Sequence, residues 1–507
     1  MAESSHPHLL RLAHSVLQPG FPGATAPDWV RRRIGEGLAS VVLFGRNIRS
    51  GAQVAALTHA LHAENPDLVI AIDEEAGDVT RLEARTGASR PGNLALGVLD
   101  DIDLTEQVAR DTGRELHSLG ITLNYAPSAD VNTNALNPVI GVRSFGARTD
   151  VVSRHAAAWV RGLQTAGVAA CAKHFPGHGD TVVDSYHGLP QVSAPGGTLA
   201  LTALPPFIAA MDAGVRAVMA GHLLVPAYDA RWPASLSRTV LHELLRGELG
   251  FTGLVVTDAV EMGAVADRYG LTGAAVRAVA AGADAVCVGG DHADERTTAR
   301  LAGALVRAVL DGRLPEERLA GAAGRVQEFA AWSGTLRRAA SVPEAACGVG
   351  LAAARRAVHV HHRPDHDTQF PLVGTPHVVE LSPATISLID RGTPWGVAEP
   401  LSALRPGTTS VRLGETECAD GAEVLDRLAL EPASGRPLVV VVRDAARYGW
   451  MTRALTGLLR RRPDALVVEM GVPTGERPGA VYLATHGATR VSGIAAAEAL
   501  VGGRTGP

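Results

Sequence analysis

Short runs of uninterrupted apolar residues recur through the first 290 positions, each ending in a polar or glycine-bearing stretch and followed by a helix-length segment. The runs are SVVLFGRN, DLVIAIDEE, GITLNYAPSAD, VAACAKHF, RAVMAGH, TGLVVTDA and ADAVCVGGD. Runs that are apolar on both faces and spaced by helices predict buried parallel strands. Seven of them before Asp291 predict a TIM-like (β/α)8 barrel whose eighth strand is hidden or degenerate. Two amphipathic helices, around TTARLAGALVRAVLDG and PEERLAGAAGRVQEFAAW, close this region. Beyond them HVVEL, TSVRL, PLVVVVRDA, ALVVEMGVP and AVYLATHG alternate with helical patterns such as WMTRALTGLLRRR, which predicts a smaller open α/β sandwich. The expected α/β chain thus has a barrel over residues 1–340 and a second domain over 350–507, joined by a short connection.

What terminates each run changes the picture. Arg46, Asp73 with Glu75, Asp130, Lys173 with His174, His222, Asp258 and Asp291 all stand at the ends of the runs. In a barrel of parallel strands these positions emerge on the C-terminal face, where such barrels keep their active sites. One polar residue after a strand is usually a helix cap, but a cap does not account for ionisable groups at every run.

Composition narrows the class. Of 507 residues, 46% are hydrophobic and 20% charged, the balance of a compact folded protein rather than a disordered one. The net charge of -5 and the two isolated arginine triplets, Arg31 to Arg33 and Arg460 to Arg462, argue against a nucleic-acid partner. The N-terminus MAESSHPHLLRLAHSVLQPGFPG has no basic region followed by an apolar core, and no run approaches the roughly 18 apolar residues of a membrane span. A cytoplasmic protein without a membrane partner is expected. Cys171, Cys287, Cys347 and Cys418 show no CxxC spacing and read as reduced thiols. The histidines of VHVHHRPDHD (His359, His361, His362, His366) have no cysteine partners and read as surface residues rather than a metal site. Asp291 and His292 fit either a helix cap or a pocket mouth. No cofactor and no metal is expected.

The candidate chemistry begins with Asp258, which follows an apolar strand run in GLVVTDAVEMGAV and can point into a barrel mouth as nucleophile, base or ligand. Asp73 and Arg81 lie in AIDEEAGDVTRLE, and Arg143 lies in the Asn- and Pro-dense loop NTNALNPVIGVRSFG. With Lys173, His174 and His222 they make a polar lining suited to a hydroxyl-rich ligand, a small carbohydrate.

The segments LFGRNI, IDEEAGDVTR, LNYAPSADVNTNALNPVIGVRSFG, KHFPGHGDTVVDS, PASLSRTVLHELLRGELGFTGLVVTDAVEM and AVAAGADAVCVG resemble, in order, those of glycoside hydrolase family 3. The closest likeness is to its bacterial β-N-acetylglucosaminidase branch. The resemblance implies a retaining double displacement with Asp258 as nucleophile. It also implies sugar-hydroxyl ligands at Asp73, Arg81, Arg143, Lys173 and His174, and a supporting role near the sugar for His222. The implied substrate is a terminal β-linked N-acetylglucosamine glycoside, such as a muropeptide in cell-wall recycling.

The loop KHFPGHGDTVVDSYHGLP departs from that pattern. In the branch it resembles, an Asp-Ser-His sequence supplies the general acid/base histidine, oriented by the aspartate two positions before it. Imidazole titrates near pH 6.5 and suits both halves of the proton transfer. Here the aspartate is Asp184, the position two residues on is Tyr186, and the histidine comes one place late as His187. A one-residue shift in an extended loop turns a side chain to the opposite side, and a tyrosine hydroxyl titrates near 10. Three readings stay open: loss of the acid/base, ranked slightly first, a repositioned His187, and Tyr186 as acid, ranked last. His178 reads as a loop-organising residue. The expected activity is a β-N-acetylhexosaminidase with an altered acid/base step. The alternatives are a glycoside phosphorylase or transglycosylase on the same barrel, and a catalytically silent sugar-binding protein.

Overall fold

A computed structural model describes residues 6–290, 293–340, 348–363, 368–383, 388–390, 392–419 and 422–503. Asp291, His292, Cys347 and His366 lie outside the described residues. The chain divides into two compact units. The first comprises Met1–Glu75, Ile102–Ile140 and Ala147–Ala346; the second comprises Ala76–Asp101, Gly141–Gly146 and Cys347–Pro507.

In the first unit all seven runs contain strands: β2 (Ser40–Leu43), β3 (Val69–Ile72), β4 (Leu123–Asn124), β5 (Ala169–Phe175), β6 (Ala217–Ala220), β7 (Leu254–Thr257) and β8 (Val286–Val288). The hidden strand is β1 (Leu17–Pro19), three buried residues near the N-terminus that pair in parallel with β8. Its brevity, and the Gln and Pro within it, kept it below the pattern that marks a strand.

The expected closed (β/α)8 barrel is present only in part. The ladder runs continuously from β2 through β7, and β8 joins β7 through the bridge Val256–Ala285. Between β1 and β2, Ser40 Oγ donates to the Leu17 carbonyl at 3.2 Å without a ladder. Pro19 has no N–H to give to a ladder. The sheet is nonetheless curled, because alternate residues of β2 to β8, including Val42, Ala71, Leu123, Cys171, Met219, Val256 and Cys287, meet in one core. Val326, Phe329 and Ala330 of the helix Glu316–Ala339 join that core. The helices that separate the strands, such as Ile102–Ser118 and Thr149–Thr165, bury one stripe each, as their apolar spacing dictates.

Asp284, just before β8, is fully buried. Its carboxylate accepts from Arg246 at 2.5 Å, Arg318 at 3.1 Å and the Val255 N–H at 3.0 Å. Arg325 approaches to 3.5 Å. This charge cluster sits at the N-terminal end of the strands.

The second unit is a six-stranded sheet in the order β11-β10-β12-β13-β14-β9. The five expected runs form the parallel strands β10 (His377–Leu381), β11 (Thr409–Leu413), β12 (Leu438–Val442), β13 (Leu466–Glu469) and β14 (Val481–Ala484). β9 (His359–His362), part of the histidine-rich stretch, adds an antiparallel edge. Val439, Val441, Leu466, Val468 and Leu483 face one core with the helix Arg490–Leu500, while Val440, Val442, Val467 and Tyr482 face another with the helix Gly449–Arg461. A run of five valine and leucine positions in β12 is apolar on both faces because both faces are covered.

At the end of β13, Glu469 is buried. Its Oε1 accepts from the Asp444 N–H at 2.8 Å and the Gly471 N–H at 2.7 Å, and Oε2 from the Ala445 N–H at 3.3 Å. Burial, and then the charge of Asp444, push its carboxyl up to about 7 against those three donors.

Asp284→Asn leaves the arginines around it uncompensated and is expected to destabilise the first unit by about 3–5 kcal/mol, read as a lower Tm. Glu469 has a folded pKa above its unfolded one, so the native state holds the extra proton between pH 4.5 and about 7. Stability should therefore fall as pH rises through that window, by on the order of 3 kcal/mol. Urea midpoints measured across it should lose this slope in Glu469→Gln.

Candidate active site

The first unit gathers its polar groups at the C-terminal ends of the strands. Lys173 and His174 are among the last residues of β5, and the Lys173–His174 peptide is cis. Lys173 is 2% exposed. Its ammonium is held between two carboxylates that follow β3: Asp73 Oδ1, and Glu75 Oε1 at 2.7 Å. A buried ammonium persists only where such partners replace its hydration.

His174 has a different carboxylate partner. Its Nδ1 lies 2.7 Å from Asp130 Oδ2, and the backbone N–H of His178 donates to Asp130 Oδ1 at 2.7 Å. Ser128 Oγ donates to Oδ2 at 3.0 Å. Asp130 lies six residues beyond β4, yet it reaches this place because the extended segment runs on beside β5. Ser128 bridges to Lys173, and the Ala129 N–H donates to the Lys173 carbonyl at 2.6 Å. Burial would raise the Asp130 carboxyl, but the charge and hydrogen bond of His174, followed by those of His178, hold it below its ordinary value. Asp130 was legible as a strand-end residue. Its task as the anchor of both histidines was not.

Asp258 is the residue after β7 and is partly exposed. Its N–H donates to the Ala220 carbonyl at the end of β6 at 2.9 Å, and its Oδ1 accepts the Ala259 N–H at 2.8 Å. The Ala259 carbonyl lies 3.0 Å from His222 Nε2, while His222 Nδ1 lies 2.6 Å from Ser235 Oγ. These partners fix one tautomer: Nε2–H donates to the carbonyl and Nδ1 accepts the serine hydroxyl. Burial lowers the His222 pKa, opposed by the charge of Asp258. Both ring nitrogens are engaged within the protein, so the ring has no polar atom left for a ligand. Ser235 gave no signal in the sequence, because only the folded chain brings it under His222.

Asp73 and Asp258 act on the same interior. Burial pushes the Cys171 thiol up; the charge of Lys173 opposes this, and those of Asp73 and Asp258 add to it. Burial likewise raises Cys287, with Glu261, Asp258 and Asp73 adding to the shift. Both thiols belong to the core that the curled sheet encloses.

Tyr186 packs against that same core, while His187 is exposed. Asp184 Oδ1 accepts the Tyr186 N–H at 2.9 Å, and its carbonyl accepts the His187 N–H at 2.9 Å, so the segment is a turn rather than an extended strand. Gly263 lets the next loop approach: a Cβ there would stand 2.9 Å from the Tyr186 carbonyl. His178 is buried, with Nδ1 2.7 Å from Thr181 Oγ1 and Nε2 3.4 Å from Ser185 Oγ, which fits the loop-organising reading.

Arg81 and Arg143 belong to the second unit. Arg81 is buried and donates to the Leu388 carbonyl at 2.7 Å. Arg143 is also buried, and its carbonyl accepts from Asn93 Nδ2 at 2.6 Å. Among the described residues no group of three His, Cys, Asp or Glu is placed to hold a metal ion, and no helix is long and apolar enough to cross a membrane.

The glycosyl hydrolase family 3 N-terminal domain matches residues 25–329. Beta-hexosaminidase A of Pseudoalteromonas piscicida is 35% identical over 319 residues, 58% of this chain and 53% of that protein. The chain thus spans about half the length of that relative. The beta-hexosaminidase of Thiobacillus denitrificans is 37% identical over 284 residues, 54% of this chain and 78% of its own length. A family 3 β-N-acetylglucosaminidase structure from Paenibacillus sp. str. FPU-7 superposes with a TM-score of 0.84 at 32% identity, covering 97% of this chain and 96% of the other. A domain match over more than half the chain, on a unit whose strand ends carry these carboxylates, means that the chain belongs to glycosyl hydrolase family 3.

Proposed function

We propose that the chain is a retaining exo-β-N-acetylhexosaminidase that releases terminal β-linked N-acetylglucosamine through a glycosyl-Asp258 intermediate, with a proton-transfer step altered at Tyr186. The observation that carries this reading is Asp258 itself, partly exposed at a strand end, its backbone fixed to Ala220 and its neighbour Ala259 fixed to His222. The family membership and the hexosaminidase names of its relatives support the substrate class. In the first step the Asp258 carboxylate attacks the anomeric carbon as the bond to the leaving oxygen breaks. In the second, water attacks that carbon and Asp258 departs.

Asp73, Arg81, Arg143, Lys173 and His174 are assigned to the sugar hydroxyls. His222 is assigned to positioning the backbone of the nucleophile. The strands are taken to close into an eight-stranded barrel within residues 1–340, with 350–507 as the second domain. The reading also includes a cytoplasmic location and a muropeptide substrate, tested by fractionation and by assay on cell-wall fragments.

For the acid/base step, impairment is favoured. Tyr186 holds the inward place against the barrel core, and the His187 side chain is exposed. Without a general acid, a basic sugar leaving group departs as an alkoxide, whereas a nitrophenolate needs no help.

A 2-fluoro or 5-fluoro sugar that slows deglycosylation should label Asp258 in peptide mass mapping; a label elsewhere, or normal turnover by Asp258→Asn, would overturn the assignment. The unmodified enzyme should cleave nitrophenyl N-acetylglucosaminides far faster than disaccharides. Tyr186→His should raise disaccharide cleavage by up to about 10²–10⁴-fold. Efficient disaccharide cleavage that His187→Ala abolishes would instead assign the acid/base to His187.

The Ser235–His222 pair gives a separate expectation. Ser235→Ala removes the hydroxyl that fixes the His222 tautomer, and misplacement of the Asp258 loop should lower kcat by about 10–100-fold with little change in KM. Ser235→Thr should restore it. Equal kcat values in the three enzymes would reduce the pair to packing.

A further inference from the structure

The second unit holds a cavity of its own, about 570 Å³, between the helices Ala398–Leu404 and Arg490–Leu500. Its lining includes Trp395, Pro400, Leu404 and Ile494, together with the exposed Arg85 and Arg490. Leu404 is 41% exposed, an apolar side chain left open to solvent at this place. The size and the mostly apolar walls with a few polar groups are those of a small-molecule site.

The polar groups on its lining are fixed by identifiable contacts. Gly87 has φ +76°, and a Cβ there would stand 2.9 Å from both the Pro394 carbonyl and Arg490 Cβ, so glycine permits the segment carrying Arg85 to close against the lining. Arg490 donates Nε to the Gly87 carbonyl at 3.3 Å. Arg85 is exposed and has no ion-pair partner among the described residues. Of the two carboxylates on the lining, Glu498 is neutralised by a two-pronged pair with Arg355 at 2.7 Å on each oxygen. Glu399 is then set against two guanidinium groups, and the net charge at the mouth is positive.

On one side of Trp395, Arg412 stacks at 4.9 Å and donates to the Trp395 carbonyl at 2.8 Å. The same Arg412 pairs with Glu380, which accepts the Val397 and Ala398 N–H groups and so fixes the start of the helix Ala398–Leu404. The aromatic wall is thereby held rigidly, which lowers the ordering cost of binding.

We infer that this cavity is a ligand site separate from the glycosidase centre, and that it takes a small amphipathic anion: a flat or branched apolar body against Trp395, Leu404 and Ile494, with a carboxylate or sulfonate toward Arg85 and Arg490. An apolar body gains from desolvating these walls. The anionic head gains charge-assisted hydrogen bonds that a neutral ligand lacks. The inference is independent of the reaction assigned to the first unit.

The probe is 8-anilinonaphthalene-1-sulfonate, followed by fluorescence on the full chain, with neutral N-phenyl-1-naphthylamine as its uncharged analogue. Saturable binding of one sulfonate per chain is expected, undisturbed by excess N-acetylglucosamine. Arg85→Ala with Arg490→Ala should weaken the sulfonate at least tenfold and leave the neutral analogue within twofold. Leu404→Glu, at an exposed position, should weaken both. Sulfonate affinity unchanged in both variants, or displacement of the sulfonate by N-acetylglucosamine, would overturn the inference.

Discussion

The ammonium of Lys173, enclosed between Asp73 and Glu75, is the interaction on which the candidate active site depends. A cation at 2% exposure is tolerable only with its counter-charges in contact, so β5 cannot move from the segment after β3 without stranding it. The residue after Lys173 engages Asp130, which in turn binds the His178 backbone. One strand end therefore ties the two carboxylates after β3 and the KHFPGHGD loop to the same two residues. The site's rigidity comes from charges that would be costly to separate.

A second charge cluster lies at the other end of the strands. Asp284 gathers Arg246 and Arg318 just before β8, far along the strand direction from the residues that follow β3, β5 and β7. This division of labour suits parallel strands, whose C-terminal ends can vary in chemistry while the N-terminal ends hold the fold. Between the two lies a core built largely of small side chains, among them Ala71, Ala169, Cys171, Ala217 and Cys287. The thiols are raised by burial and stay protonated, so they act as packing groups.

The Tyr186 segment shows how little sequence distance separates two chemistries. Asp184 accepts the backbone N–H of Tyr186, and the turn exposes His187 while Tyr186 covers part of the core. A one-place displacement of the histidine thus leaves a phenol, not an imidazole, packed against the core. In the proposed mechanism that exchange governs which leaving groups depart, because the nucleophilic carboxylate and the leaving oxygen have separate needs.

Among the described residues, periodicity alone identified seven of the eight strands of the first unit and the five parallel strands of the second, because a buried parallel strand must be apolar on both faces. It also placed Asp73, Lys173, His174 and Asp258 at strand ends, since ionisable groups closing apolar runs are conspicuous against that background. β1 escaped because a three-residue strand containing Pro has no period to read. Tertiary structure alone decided that Asp130 serves His174 and His178, that Ser235 fixes His222, and that Arg85 and Arg490 share a cavity lining with Trp395. Each of those depends on residues far apart in the chain meeting in space, and a local pattern carries no record of such meetings. The sequence named the charged groups, but their partners, and with them their protonation and orientation, were set only when the chain closed around them.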